Sequence, residues 1–188
     1  MKSSLFNKNI AFSAVLVVIV GTILNRIIPP SVDPVFSAVI SKNRIGITDI
    51  HQARDIEISK TVMIERIDLA DKSRFRHAKL GDIGYSNDFF VDFDAPFTVK
   101  VAGDYQFFLA SDDGFVFSVD DKPLCEWNRD RPITTDTCNV NLSPGEHRFK
   151  LSYFQGYGNA GLIMSYANTG DGTQYLAGEN SKFLSFKR

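Results

Sequence analysis

Asp112 and Asp113, followed by Gly114, join two Phe-rich runs, Tyr105 to Leu109 and Phe115 to Val119. Two carboxylates on neighbouring residues repel, and each raises the proton affinity of the other unless something offsets the charge. One outcome is a solvated turn in which an Asp caps local amides. The other is a cation site, for which calcium is the natural occupant, because it takes about six to eight hard oxygens. The usual catalytic patterns do not occur. No Ser or Cys sits in a nucleophile elbow, and the acidic pairs adjoin in sequence instead of lying about 5–9.5 Å apart across a cleft as in glycosidases. His51, His77 and His147 are scattered, without His-x-x-x-His or paired-cysteine zinc spacing. The chain is expected to bind rather than to catalyse.

The segments that must hold the acidic pair read as β-strands. Tyr105, Phe107 and Leu109 share one face of an extended segment, and Phe115, Phe117 and Val119 share one face of the next. Residues 147–154 alternate, with Phe149, Leu151 and Tyr153 inward and Arg148, Lys150 and Ser152 outward. Leu162, Met164 and Tyr166 close the set, and strands are also expected at 56–58, 62–64, 89–93 and 97–101. Short strands at this spacing, with turn residues such as Asn141 to Gly145 between them, predict an antiparallel β-sandwich or barrel. The charge-crowded stretch from Glu65 to Asp82 is expected as a loop with some helix. Gly156 to Gly161 fits the dinucleotide pattern G-x-G-x-x-G, but a strand follows it where that motif needs a helix.

The N-terminus follows another logic. Between Lys8 and Arg26 lie 17 uncharged residues, about 26 Å as a helix, close to a bilayer's hydrocarbon thickness. The expected division is a cytoplasmic tail at 1–8, a transmembrane signal-anchor helix at 9–28, a linker at 29–44 stiffened by Pro29, Pro30 and Pro34, and a β-domain at 45–188. Lys2 and Lys8 ahead of the span place the N-terminus in the cytoplasm and the domain in the periplasm or outside the cell. A cleaved signal peptide is the alternative, although a small-x-small cleavage site is hard to find. The net charge is −1, and residues 1–32 carry three cations and no acid, so the remainder is weakly acidic, which argues against nucleic-acid partners. Cys125 and Cys138 lie 13 positions apart. In an oxidising compartment they read as a disulfide, worth about 3 kcal/mol by loop closure; in the cytosol they would be free thiols.

The ordered series Gly103-x-Tyr105-x-Phe107, Ser111-Asp112-Asp113-Gly114, Val119-Asp120, Leu142-x-x-Gly145-x-His147, Tyr153-Phe154-Gln155 and Gly158-x-Ala160-x-Leu162 resembles the domain named after anthrax toxin protective antigen, the PA-fourteen domain. The resemblance covers about residues 85–167. It implies a β-sandwich, as found in flocculins, adhesins and accessory domains of glycosidases. In the family's sugar-binding members two consecutive Asp residues joined by a cis peptide hold calcium, and a later loop and the sugar complete the shell. Carried over, this makes Asp112 and Asp113 metal ligands, with Gln155 and Asn159 as amide-oxygen donors. Tyr157 or Trp127 would stack on a sugar face, although burial of Trp127 against the sandwich is an equal alternative. The sequence departs from the family at Asp121, where Asp-Gly is common, and the loop 155–161 is short.

The implied function is a membrane-anchored, extracytoplasmic, calcium-dependent carbohydrate-binding module for glycan recognition or adhesion, with a glycan or cell-surface polysaccharide as partner. The alternative is a non-catalytic subunit docking onto another envelope or surface protein.

Overall fold

The computed structural model describes residues 8–27 and 31–186. The tail expected at 1–8 lies outside the described residues apart from Lys8. The chain divides into two compact units at Ser31. In the first, α1 spans Lys8–Ile27, where the anchor helix was expected. Among the described residues no helix is long and apolar enough to cross a membrane.

The second unit consists of β-strands in chain order: β1 (Phe36–Asn43), β2 (Ile56–Ile64), β3 (Arg76–His77), β4 (Gly81–Asp82), β5 (Phe89–Val99), β6 (Gly103–Asp112), β7 (Phe115–Val119), β8 (Lys122–Trp127), β9 (Thr134–Leu142), β10 (Gly145–Gln155), β11 (Gly161–Asn168), β12 (Gln174–Leu176) and β13 (Leu184–Phe186). One sheet runs β2-β1-β5-β10-β7-β8 with β13 added to β5, and the second runs β12-β11-β6-β9. All pairings are antiparallel. The core lies between the two sheets. Tyr105, Phe107 and Leu109 of β6 and Leu162, Met164 and Tyr166 of β11 are buried, as are Phe115, Phe117 and Val119 of β7 and Phe149, Leu151 and Tyr153 of β10. The ring of Phe107 packs on Phe97 and Phe117 with centroids 6.2 and 5.2 Å away. A sandwich of this kind forms because each strand buries every second side chain.

Several elements differ from the sequence expectation. The stretch expected as linker contains β1, an interior strand that buries Phe36, Ala38 and Ile40. Its inward Ala38 and outward Val39 blur the alternation. The two expected strands at 89–93 and 97–101 are one strand, β5, running through Pro96. Proline is tolerated there because the β1 pairing stops at Phe93 and the β13 pairing starts at Phe97, so Pro96 faces neither. The pieces at 56–58 and 62–64 are likewise one strand, β2. Residues 65–82 contain no helix, only the small β3–β4 hairpin. The polar edge strands β8 and β9 have few buried positions and left little pattern to read.

Candidate functional site

The acidic pair sits where β6 ends and the chain turns into β7. Gly114 permits that turn, because a Cβ there would lie 2.5 Å from both the Phe154 ring and the Trp127 carbonyl. The peptide between Asp112 and Asp113 is cis, as the family resemblance implies. Neither residue forms a solvated tip: Asp112 is 7% exposed and Asp113 4%.

Asp113 is held by main-chain donors from two loops. Arg131 N–H donates to its Oδ1 at 3.2 Å and Gly156 N–H to its Oδ2 at 2.9 Å. Gly156 comes this close because it lacks a side chain; a Cβ there would lie 2.5 Å from the Ile47 carbonyl. Burial still pushes the Asp113 carboxyl above the usual range, against these two bonds, and the charge of Asp130 adds to the rise. Asp112 is less well served. Burial, then the charge of Asp113, push it up to about 6, and the Ile133 amide and the Arg131 charge offset only part of this. The buried Tyr153 hydroxyl donates to the Asp112 carbonyl and lies 2.8 Å from Gln155 Oε1.

The expected ligand residues are distributed as follows. Asp112 and Asn159 line one cavity of about 300 Å³ together with Ala70 and Ile133. Gln155 is fully buried, with its amide oxygen toward Tyr153 and its amide nitrogen donating to the Asn159 carbonyl at 2.6 Å, so it braces the loop that carries Asn159. Tyr157 stands 89% exposed on the same loop. Trp127 is 43% exposed and lines a separate cavity with Glu126, Asn128 and Arg129. The Arg131 guanidinium lies 5.0 Å from the Trp127 ring centroid.

Sequence reasoning missed Arg131. Besides holding Asp113 through its amide, its guanidinium donates to Ser111 Oγ at 2.8 Å and pairs with Asp136 at 2.5 Å. The signal available was the charge-dense run from Asn128 to Pro132 inside the cysteine loop. That loop is closed: Cys125 of β8 and Cys138 of β9 form a disulfide that joins the edges of the two sheets, with Cα atoms 5.7 Å apart.

Among the described residues no group of three or more His, Cys, Asp and Glu could hold a metal. A hard cation here would rest on the two Asp carboxylates with neutral oxygens completing its shell, and that donor set suits calcium. Both carboxyls fit such a role, because burial leaves neither charge fully compensated.

A model of the PA14 domain matches residues 74–176. Among solved structures, the chain is similar to a PA14 sugar-binding domain from an RTX adhesin (TM-score 0.61, 19% identity, 84% of this chain and 100% of that one). It is similar to the PA14 domain of the MpAFP antifreeze protein (0.61, 15%, 84% and 93%). It is also similar to the A domain of epithelial adhesin 6 from Candida glabrata, solved in complex with Galb1-3GlcNAc (0.54, 13%, 84% and 90%). At these identities the likeness shows the fold. No curated protein matches the chain. The family match extends over more than half of the sequence and coincides with the sandwich and its acidic turn, so the chain belongs to the PA14 domain family.

Proposed function

We propose that this chain is a non-catalytic carbohydrate-binding module, held at a membrane by its N-terminal segment with the sandwich outside the cytoplasm. It uses Asp112 and Asp113 to hold calcium and recognises a glycan beside them. The observation that carries the reading is the burial of two neighbouring carboxylates, of which Asp112 lines a cavity and is pushed up to about 6. Burying like charges together is costly unless a cation offsets them. Calcium supplies that charge and accepts the mixed oxygens such a loop offers. Asn159, which lines the same cavity as Asp112, would add an amide oxygen, and vicinal sugar hydroxyls suit the remaining positions because they arrive pre-spaced. Exposed Tyr157 is available to stack on a sugar ring.

Calcium titration by calorimetry tests this. Asp112→Ala and Asp113→Ala should each weaken calcium uptake by more than tenfold, and calcium-dependent retention on immobilised glycans should disappear with it. If neither substitution changes calcium uptake, the reading is lost. Asp113→Ala also strands the Arg131 and Gly156 amides, so Asp112→Asn is the cleaner variant.

A second reading is docking onto an envelope or surface protein. It draws on β2, an edge strand with exposed Ile56, Ile58 and Met63. This reading expects no calcium dependence, and a photoreactive residue at Ile58 should then crosslink to a single partner.

A further inference from the structure

The stretch Glu65 to Asp82, crowded with charges of both signs, takes no part in holding the acidic pair, yet it is built firmly into the same end of the sandwich. Leu69 N–H donates to the Leu162 carbonyl at 2.8 Å, and Ala160 N–H donates to the Ser73 carbonyl at 3.1 Å. Buried His77 fixes the hairpin base, with Nε2 3.0 Å from Glu65 Oε2 and Nδ1 accepting from the amides of Lys79 and Leu80. These bonds put a wall beside the loop that carries Asn159. Between wall and loop lies a second cavity of about 360 Å³, lined by Arg74, Asp82 and Tyr85. Ser73 and Ala160 line both this cavity and the one that holds Asp112 and Asn159. The boundary between the two is therefore the Ser73–Ala160 main-chain hydrogen bond with its two small side chains.

The lining has a definite chemistry. Arg74 Nη2 lies 3.1 Å from Asp82 Oδ2, with the side chains 64% and 46% exposed. An ion pair so open to water contributes little to stability. It does offer a donor beside an acceptor. Arg76 pairs with Asp82 and Asp71, so the two arginines and two aspartates around this cavity balance. Such a wall favours a neutral ligand rich in hydroxyls over an anion. Tyr85 adds an aromatic ring, edge-on to Phe89 at 6.3 Å and with Lys60 Nζ 4.7 Å from its centroid. Each volume lies near the lower end of the range for ligand pockets, about 300–1,000 Å³.

We infer that the two cavities are adjoining subsites for a neutral oligosaccharide. One sugar unit sits at Asp112 and Asn159, and the next crosses Ser73 and Ala160 to hydrogen-bond Arg74 and Asp82. The inference rests on the calcium-dependent glycan reading and adds a preference for chain length.

The test uses the full chain in detergent and an array carrying mono-, di- and trisaccharides of each common terminal sugar, with and without calcium. Binding should require calcium and rise about tenfold or more from the mono- to the di- and trisaccharide of one series. Arg74→Ala and Asp82→Asn should return the longer ligands to monosaccharide strength, with calcium uptake and monosaccharide binding unchanged. Tyr85→Leu, which keeps apolar packing on Phe89, should reduce the gain in part. Equal binding of all lengths, or a length preference that survives both polar substitutions, overturns the second subsite and leaves the calcium site standing. Absence of calcium-dependent binding to every glycan overturns the underlying reading and the subsite with it.

Discussion

Asp112 and Asp113 are neighbours whose surroundings give them different work. Asp113 accepts two main-chain hydrogen bonds and organises the loops around it, whereas Asp112 faces the cavity with less compensation. Its carboxyl, pushed up to about 6, takes a proton in the fold at a pH where the unfolded chain, near 3.8, does not. Through this group the metal-free domain gains stability as pH falls from above 6 toward 4. Calcium needs the ionised form, so the proton competes with it. Calcium affinity should therefore fall about tenfold between pH 7.5 and pH 5, measured by calorimetry, and Asp112→Asn should flatten that dependence. His147 acts in the same direction, at higher pH. Its Nδ1 lies 2.6 Å from Asp120 and its Nε2 2.9 Å from the Ser143 carbonyl, so both nitrogens face acceptors and the ring is favoured as the cation. Burial alone would lower its pKa, but these contacts outweigh burial and raise it. Burial likewise opposes the net lowering of Asp120, which His147 and the Arg148 amide bring about. The His147 contribution is complete below about 6.5 and fades as pH rises through its raised value, while that of Asp120 is lost only below about 3.8. Asp120→Asn should cost about 1 kcal/mol or less in urea unfolding between pH 4 and 6.5, and less once pH rises above the raised His147 value.

The β7–β8 hairpin turns on two residues, Asp120 and Asp121, at φ 51° and 61°. Turns with positive φ at both central positions prefer Gly at the second. Asp121→Gly should therefore stabilise the domain by about 0.5–1 kcal/mol in thermal unfolding, because the exposed Lys150 pair it loses is worth little. The adjoining edge depends on Cys125–Cys138, which ties β8 to β9 and encloses the segment carrying Arg131. Replacing both cysteines with Ala should cost about 3 kcal/mol and weaken calcium binding, since Arg131 N–H is one of the two amides on Asp113. An unchanged calcium affinity would show that the loop keeps its place without the clasp. These elements were legible in the sequence to different degrees, for physical reasons. The inward faces of β6, β7, β10 and β11 stood out because each buries alternate large residues against the opposite sheet. The Asp112–Asp113 turn and the cysteine pair were also plain, being written in adjacent or closely spaced residues. β1, β8 and β9 were not, since an interior strand with a small inward Ala38 and two polar edge strands leave no clean alternation. The support of Asp113 by Arg131 and Gly156 was hidden as well, because main-chain donors carry no residue signature and the loops meet only in the fold.

Across the whole chain, 17 uncharged residues precede a sandwich with a slight excess of acid. A single calcium-and-sugar site of the kind proposed would bind weakly, since most of a small ligand stays in water and much of the interaction offsets lost freedom. Many copies fixed on one surface and facing a polymer change that arithmetic, because each further contact forms at a high effective concentration. The proposed anchor is therefore part of how the binding site would work, and its orientation is testable. In that proposal the N-terminal cations would keep the tail on the cytoplasmic side and put residues 32–188 outside. In cells expressing the full chain, the protein should remain with membranes after alkaline carbonate extraction, and protease added to spheroplasts should remove the sandwich while sparing a short N-terminal fragment. Replacing Val17 and Val20 with Lys should release the protein from the membrane fraction, because charges at the centre of a span cost about 2.5–3.5 kcal/mol each. A wild-type chain that carbonate extracts, or a sandwich that resists protease in spheroplasts yet is cut after lysis, would rule out the external tether and leave the site to act without avidity from the membrane.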